Sequence, residues 1–278
     1  MIFFKGCPLR CMWCCNPESQ RFSPDIMYNP GLCKKFGDCL KTRNRGITAS
    51  PDAIEIDRSV IQDSDEFRDL CASKALIVSG EDMSTEQILR EIEKDMPFYK
   101  TSGGGVTLSG GEPLSQGAEL DVLLTELKKK KIDVAIETSL HVGWERIERV
   151  AALTGTFLVD LKHTEKEKFN SFTGGDADLV MENLKMLADS HGSIIVRVPV
   201  IPGFNHTFSE MKNIIDYTRS LNNVSEIHFL PYHTLGNEKY RMLGMAYKMN
   251  GIPNVRIEDL SLYVDYSNSV GLNAKTGG

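Results

Sequence analysis

Seven cysteines stand in this chain, and four of them, Cys7, Cys11, Cys14 and Cys15, lie close together near its start. The run Cys7-Pro8-Leu9-Arg10-Cys11-Met12-Trp13-Cys14 sets three of them at C-x3-C-x2-C spacing on a short loop that directly follows the apolar segment Met1 to Lys5. Three thiolates so placed can bind three corners of a four-iron cubane and leave the fourth iron open, where a small molecule can chelate. A zinc site is the alternative, but structural zinc is tetrahedral and closed and would need a fourth ligand such as Cys15. Adjacent residues seldom turn to one metal, which favours the cluster.

Loops of this kind need strands to carry them. From residue 84 onward, short apolar runs alternate with helix-period segments, the pattern of repeated strand-helix units and a parallel sheet. The predicted strands are Val106–Leu108, Val134–Ile136, Phe157–Val159, Ile194–Val200 and Ile227–Leu230, with Met1–Lys5 as a sixth. Ser84 with Gln87 predicts a capping box with Met83 and Ile88 as its staple, and Thr207 with Glu210 predicts a second box. Lys128 to Lys131 close the periodic segment Leu120, Leu123, Leu124 and Leu127, where cations complement a helix C-terminus.

Each predicted strand ends in polar or conformationally special residues: Gly110-Gly111-Glu112, Glu137-Thr138, Asp160-Leu161-Lys162, Pro202-Gly203-Phe204-Asn205 and Pro231-Tyr232-His233. In barrels of parallel strands that end is the active-site face. Six strands predict a partial, TIM-like (β/α)6 barrel with an open side that could admit a macromolecule. Residues 20–80 break the alternation with the turn-formers Asn29-Pro30-Gly31 and Ser50-Pro51-Asp52 and three scattered cysteines, which predicts an insertion within a barrel spanning 1–278.

Composition narrows the function. The net charge of -6 and pI near 5.6 argue against a nucleic-acid partner, whose phosphates require clustered Lys and Arg. The opening apolar run is too short for a signal peptide, and no stretch approaches a membrane span, so the expected location is cytoplasmic with no membrane partner. An odd number of cysteines in such a compartment suits metal ligation better than disulfides.

The run Phe3 to Cys14 followed by Asn16-Pro17-Glu18-Ser19, and matches continuing through Gly236-Asn237-Glu238-Lys239-Tyr240 to Gly277-Gly278, resemble the radical S-adenosylmethionine (SAM) superfamily. They resemble in particular the glycyl-radical-enzyme activating enzymes related to pyruvate formate-lyase activase. The resemblance implies a [4Fe-4S] cluster on Cys7, Cys11 and Cys14. It implies SAM cleavage to a 5'-deoxyadenosyl radical, removal of a glycine Cα hydrogen from a partner glycyl radical enzyme, and a flavodoxin or ferredoxin as electron donor. No residue is implied as a general acid or base. Ser109-Gly110-Gly111-Glu112-Pro113 is implied to receive the methionyl amino group, with the Glu112 carboxylate accepting from the ammonium. Glu137, Thr138, Asp160 and Lys162 are implied near the SAM carboxylate, sometimes around a monovalent cation, which oxygen ligands suit. Arg197 and Asn205 are implied beside the adenosine, and His233 near SAM and the incoming glycine. Of the histidines, His163 and His233 are the two with a motif; His141, His191, His206 and His228 have none. The family has Gly where this chain has Leu140, so the backbone there is expected to differ.

Two further expectations follow. The family carries an Asp-Gly-Pro-Gly and Arg pattern just before Ile2-Phe3-Phe4-Lys5, so the natural start is expected upstream of Met1. The insertion in many relatives resembles a two-cluster ferredoxin with two C-x2-C-x2-C-x3-C runs. Laid on this chain they fall on Cys33, Phe36, Cys39 and Arg43, then on Ile61, Ser64, Phe67 and Cys71. The surviving cysteines would all serve one site, since the fourth cysteine of each run ligates the other cluster. The expectation is a metal-free remnant filled by Phe36, Ile61 and Phe67. A different radical SAM enzyme, such as a peptide modifier, and a catalytically silent partner-binding relative are the alternative functions.

Overall fold

The computed structural model of the chain describes residues 1–43, 45–51 and 54–277, so Asp52 of the predicted turn and the terminal Gly278 lie outside the described residues. The first strand, β1 (Ile2–Phe4), leads through the cysteine loop into four short strands: β2 (Asp25–Tyr28), β3 (Ile47–Ala49), β4 (Ile54–Ile56) and β5 (Leu76–Ser79). The predicted alternation then begins with α1 (Thr85–Glu93), α2 (Met96–Ser102), β6 (Gly105–Gly110), α3 (Gly117–Lys129), β7 (Asp133–Thr138), α4 (Trp144–Ala151) and β8 (Thr156–Asp160). It continues with α5 (Lys166–Thr173), α6 (Ala177–Ser190), β9 (Ile194–Val200), α7 (Phe208–Ser220), β10 (Val224–Pro231), α8 (Asn237–Leu243), α9 (Ser261–Ser269) and β11 (Asn273–Thr276).

The main sheet runs β1-β6-β7-β8-β9-β10-β11 with every neighbouring pair parallel. The six predicted strands are present in their predicted order, and β11 adds a seventh at the edge. Its sequence, Asn-Ala-Lys-Thr, is mostly exposed, so it carries no apolar run that a reader of the sequence could detect. Alternate residues along these strands turn to one covered face, where Leu108, Ile136, Phe157, Val159, Val196, Val198, Ile227 and Phe229 are all fully buried. Each such side chain contributes about 1.5–3 kcal/mol of transfer free energy. Helix α3 seals one side with Leu120, Leu123, Leu124 and Leu127, and Lys128 and Lys129 occupy its last turn.

The box at the start of α1 forms in full, with the Ser84 amide donating to Gln87 Oε1 at 2.7 Å and the Gln87 amide to Ser84 Oγ at 3.3 Å. At α7 only half of the predicted box forms. The Glu210 amide donates to Thr207 Oγ1 at 3.3 Å, but the Glu210 carboxylate turns to the Lys168 ammonium and the Thr207 hydroxyl instead of the Thr207 amide. An ion pair outbids a neutral cap.

Between β1 and α1 the chain builds two antiparallel ribbons, β2 with β5 and β3 with β4. They enclose a second apolar cluster of their own, made of Ile26, Tyr28, Ile47, Phe67, Ala75 and Leu76. Phe67 is fully buried there and Ile61 packs against it, as expected, but Phe36 is 60% exposed and fills nothing. Arg58 fastens this unit to the main body by donating to the carbonyls of Ile26 at 2.9 Å and Met242 at 3.1 Å.

Candidate active site

The cysteine loop leaves the C-terminal end of β1, and its root is locked to the Gly-Gly turn that ends β6. The Gly111 amide donates to Phe4 O at 2.8 Å and the Glu112 amide to Gly6 O at 2.7 Å. A Cβ on Gly110 would lie 2.4 Å from the Phe4 amide nitrogen, and one on Gly111 would lie 2.2 Å from Gly6 O. The two glycines therefore permit backbone to meet backbone, with Gly110 also at φ +107°. From the other side, the amides of Arg10 and Met12 donate to the carbonyls of Thr173 and Phe172 at the end of α5. Trp13 stacks on Phe204 at 4.8 Å between ring centroids.

Held in this way, Cys7, Cys11 and Cys14 line one wall of a cavity of about 260 Å³ at the C-terminal ends of the strands. Burial pushes the Cys7 thiol up to about 11 and the Cys11 thiol to about 12, and raises Cys14 as well. Ligand-free, these groups are thiols at neutral pH, and binding a soft metal must displace their protons. Among the described residues no three metal-ligating side chains stand ready at ligation distance. The trio is defined by one loop, one cavity and a donor set of the kind iron-sulfur clusters take.

The same cavity is lined by a ladder of charge across four strand ends. The Ser109 hydroxyl of β6 donates to the Glu137 carboxylate of β7. Arg197 of β9 bridges outward, donating to Glu137 Oε1 at 2.8 Å and twice to Asp160 Oδ1 of β8, at 3.0 and 2.8 Å. Lys162 completes the ladder, its ammonium 3.2 Å from Asp160 Oδ2. Burial opposes charge on Asp160, yet Lys162 and Arg197 more than offset it and hold the carboxyl below its ordinary value. Burial likewise opposes the Lys162 charge, and Asp160 and the Cys11 sulfur reverse the effect, so its ammonium is held above its usual range. The cavity thus brings together sulfur, carboxylates and cations. That combination suits a zwitterionic amino-acid group held beside a metal cluster.

Of the sequence-predicted residues, Gly110, Gly111, Glu137, Thr138, Asp160, Lys162, Arg197 and His233 all line this cavity with the three cysteines. Two predicted residues do not. Glu112 is 1% exposed and has both oxygens engaged by the protein: it accepts from Thr138 Oγ1 at 2.7 Å and the Leu114 amide at 3.2 Å, and from the Ser139 hydroxyl at 2.7 Å and amide at 2.9 Å. It braces the ends of β6 and β7 and has no lone pair left to offer an ammonium. Asn205 is wholly buried, donating to Lys162 O at 2.9 Å and Pro199 O at 2.8 Å and accepting from the Ile201 amide at 2.8 Å. It staples the end of β9 to the Asp160–Lys162 segment instead of facing adenosine. Leu140 also departs from expectation: it keeps the left-handed backbone, φ +55°, that glycine would adopt without strain. Its fully buried side chain and the Asn183 amide bonded to its carbonyl at 2.9 Å hold it there.

The structure adds residues that the sequence reading left unassigned. Cys15 lines the cavity, but its sulfur lies 4.0 Å from each ring nitrogen of His233, so its neighbour is the histidine. Gln20, 9% exposed, accepts the Cys7 amide on its carbonyl at 3.3 Å, and its side chain sits between Cys14 and Tyr240. Trp13 could have been found from its place inside the cysteine spacing; Gln20 carried no signal. His163 stands behind the site against Phe204, at 5.0 Å between centroids, and His141, His191, His206 and His228 each have a local hydrogen-bond partner.

A parallel strand-helix sheet with three loop cysteines and a charge ladder across its strand ends defines a class. Residues 1–218 match the family model described as "Radical SAM superfamily". The chain is 39% identical over 251 residues to an isethionate sulfite-lyase activating enzyme from Oleidesulfovibrio alaskensis, covering 87% of this chain and 81% of that one. It is 34% identical to a trans-4-hydroxy-L-proline dehydratase activating enzyme from Clostridioides difficile, covering 100% of this chain and 93% of the other. Among solved structures, a domain of pyruvate-formate lyase-activating enzyme from Bacteroides vulgatus superposes with a TM-score of 0.53 at 25% identity, over 63% of this chain and 99% of that one. The chain belongs to the radical SAM superfamily. Within it, the chain is an enzyme of the group that activates glycyl radical enzymes, and a [4Fe-4S] cluster and SAM follow from that membership.

Proposed function

We propose that this chain installs a glycyl radical in a partner enzyme, with Cys7, Cys11 and Cys14 holding the cluster. Glu137, Thr138, Asp160, Lys162 and Arg197, with the backbone of Gly110 and Gly111, hold SAM against it, and His233 faces the incoming glycine. When bound, these cofactors supply one electron and a primary carbon radical. The protein's part is to orient the amino-acid end of SAM, keep water out and fix the cluster loop against the strand ends. The observation that carries this reading is the ladder Ser109-Glu137-Arg197-Asp160-Lys162 with three cysteines in one cavity. A monovalent cation beside the SAM carboxylate would take its oxygen ligands from Glu137, Thr138 and Asp160.

Residues 20–80 form an insertion of degenerate ferredoxin-like origin within a barrel spanning 1–278. The electron donor is a small flavodoxin or ferredoxin, and the site of action is the cytoplasm, with neither nucleic acid nor membrane as partner. Among the described residues no helix is long and apolar enough to cross a membrane. The test is anaerobic reconstitution followed by measurement of 5'-deoxyadenosine, alone and with the glycyl radical enzyme encoded beside this gene. Release of 5'-deoxyadenosine with a glycyl radical signal in the partner is expected. Release without that signal would favour a peptide modifier, and no release with the cluster present would favour a silent relative.

A further inference from the structure

The small apolar cluster between β1 and α1 holds donors that the active-site cavity does not use. Cys33, Cys39 and Cys71 come from three separate turns, yet all pack against the cluster that contains Tyr28, Phe67 and Leu76. The register explains the convergence. Tyr28 of β2 lies opposite Leu76 of β5, and the Asn29 amide donates to Ala75 O at 2.7 Å. Cys33 follows the end of β2 and Cys71 precedes the start of β5, so both lie at one end of the same ribbon. Cys39, on the turn Asp38–Leu40, completes the trio and feels the sulfurs of both.

Two features of this cluster have no use in an apolar plug. Tyr28 is 8% exposed, and among the described residues its hydroxyl oxygen is shut off from water with no hydrogen-bond partner in proper geometry, although the Cys33 sulfur and the Ile54 amide lie close by. Leaving such a group unsatisfied costs about 1–3 kcal/mol, which a ligand would recover. Around Cys71 the backbone curls back on itself, the Lys74 amide donating to Cys71 O at 2.9 Å and Ser73 Oγ lying 3.4 Å from the Cys71 sulfur. That curl requires a left-handed backbone at Lys74, φ +54°. A hydroxyl beside the sulfur is the kind of outer-shell partner that orients a metal-bound ligand.

We infer that Cys33, Cys39, Cys71 and Tyr28 form a closed site for a single thiophilic divalent ion, zinc or ferrous iron, bound by three sulfurs and one phenol oxygen. Structural ions of this class take four ligands in a tetrahedron and keep no open position. Binding releases the three thiol protons and the phenol proton to solvent and ties three turns that otherwise share only a small apolar core. The expectation of a metal-free remnant required apolar residues to fill the space, and Phe36 is turned out to solvent. Neither this trio nor Cys7, Cys11 and Cys14 stands at ligation distance in the ligand-free chain, so sulfur spacing does not set the two apart.

The experiment is elemental analysis of the full chain purified without oxygen, as wild type and with Cys7, Cys11 and Cys14 replaced by Ala to remove the first cluster. About one zinc or one iron per chain is expected to remain in the triple variant, and the wild type should carry that ion beyond about four cluster irons. Elemental identity separates zinc from iron. Substitution with cobalt should give the intense visible bands of tetrahedral thiolate ligation. Adding Cys71→Ser should abolish them. Tyr28→Phe keeps the ring volume and should speed loss of the ion to a chelator at least tenfold. No bound ion in either protein, or four irons with a cluster spectrum in the triple variant, would overturn the single-ion site. Unchanged retention in Tyr28→Phe would remove the phenol from it.

Discussion

Replacing Glu112 with Gln distinguishes a brace from a cofactor ligand. In the wild type, each carboxylate oxygen accepts one hydroxyl and one backbone amide, from Thr138 and Leu114 on one side and from Ser139 alone on the other. A Gln amide must point its NH2 at one of those backbone N–H groups. The hydroxyl can rotate and become an acceptor, but the backbone donor cannot. One buried N–H is therefore stranded, at about 1–3 kcal/mol, and a charge-assisted bond becomes a neutral one. The expected loss is about 2–3 kcal/mol, or about 4–8 °C in melting temperature for a chain of this size. The size of the loss depends on pH in a defined direction. Burial raises the Glu112 carboxyl above its ordinary value of 4.5, outweighing its four donors. A raised carboxyl contributes stability that is full below 4.5 and is lost as pH rises through the folded value. Gln does not titrate, so the wild type's decline in stability as pH rises above 4.5 should be absent from the variant. Thermal melts of the metal-free protein across that range, paired with SAM affinity of the reconstituted enzyme, provide the measurement. Unchanged stability at every pH with a SAM affinity reduced tenfold or more would mean that Glu112 reaches the cofactor, and the bracing argument would be wrong.

Arg197→Met should remove the bridge between two carboxylates, leaving Glu137 with the Ser109 hydroxyl and Asp160 with Lys162 alone. 5'-Deoxyadenosine formation should fall by about a hundredfold or more, and Arg197→Lys should restore it only in part, since a point charge cannot span both partners; full activity in Arg197→Met would exclude the ladder from cofactor binding. In the metal-free protein, Cys7 and Cys11 are displaced from an ordinary 9.0 to about 11 and about 12, so their contribution to stability is complete below pH 9 and disappears as pH rises through those values. Denaturant titrations from pH 8 upward should show that decline, and cluster loading should quicken over the same range; a flat profile would contradict burial of the thiols.

The sequence by itself determined the cysteine loop, the order of six strands and the rule that polar residues gather at their ends. These are local facts: spacing along one loop, apolar runs broken by turns, and a shared strand polarity. The resemblance put Glu137, Asp160 and Lys162 near the SAM carboxylate and Arg197 beside the adenosine, without saying how they meet. Only the tertiary structure decided that Arg197 crosses β8 to join two carboxylates, because that depends on the side-by-side register of β7, β8 and β9. The structure alone turned Glu112 and Asn205 away from the cavity, since a motif gives a residue's position but not which donors its oxygens already hold. Strand β11 stayed hidden for a related reason: an exposed edge strand is specified by the backbone of its neighbour and leaves no apolar pattern of its own. Leu140 shows the same division most sharply, as its residue type argues against a left-handed turn that burial and Asn183 nonetheless impose. Spacing along the chain is written in the sequence, whereas the satisfaction of a buried polar group or a strained backbone depends on partners that folding brings from far away.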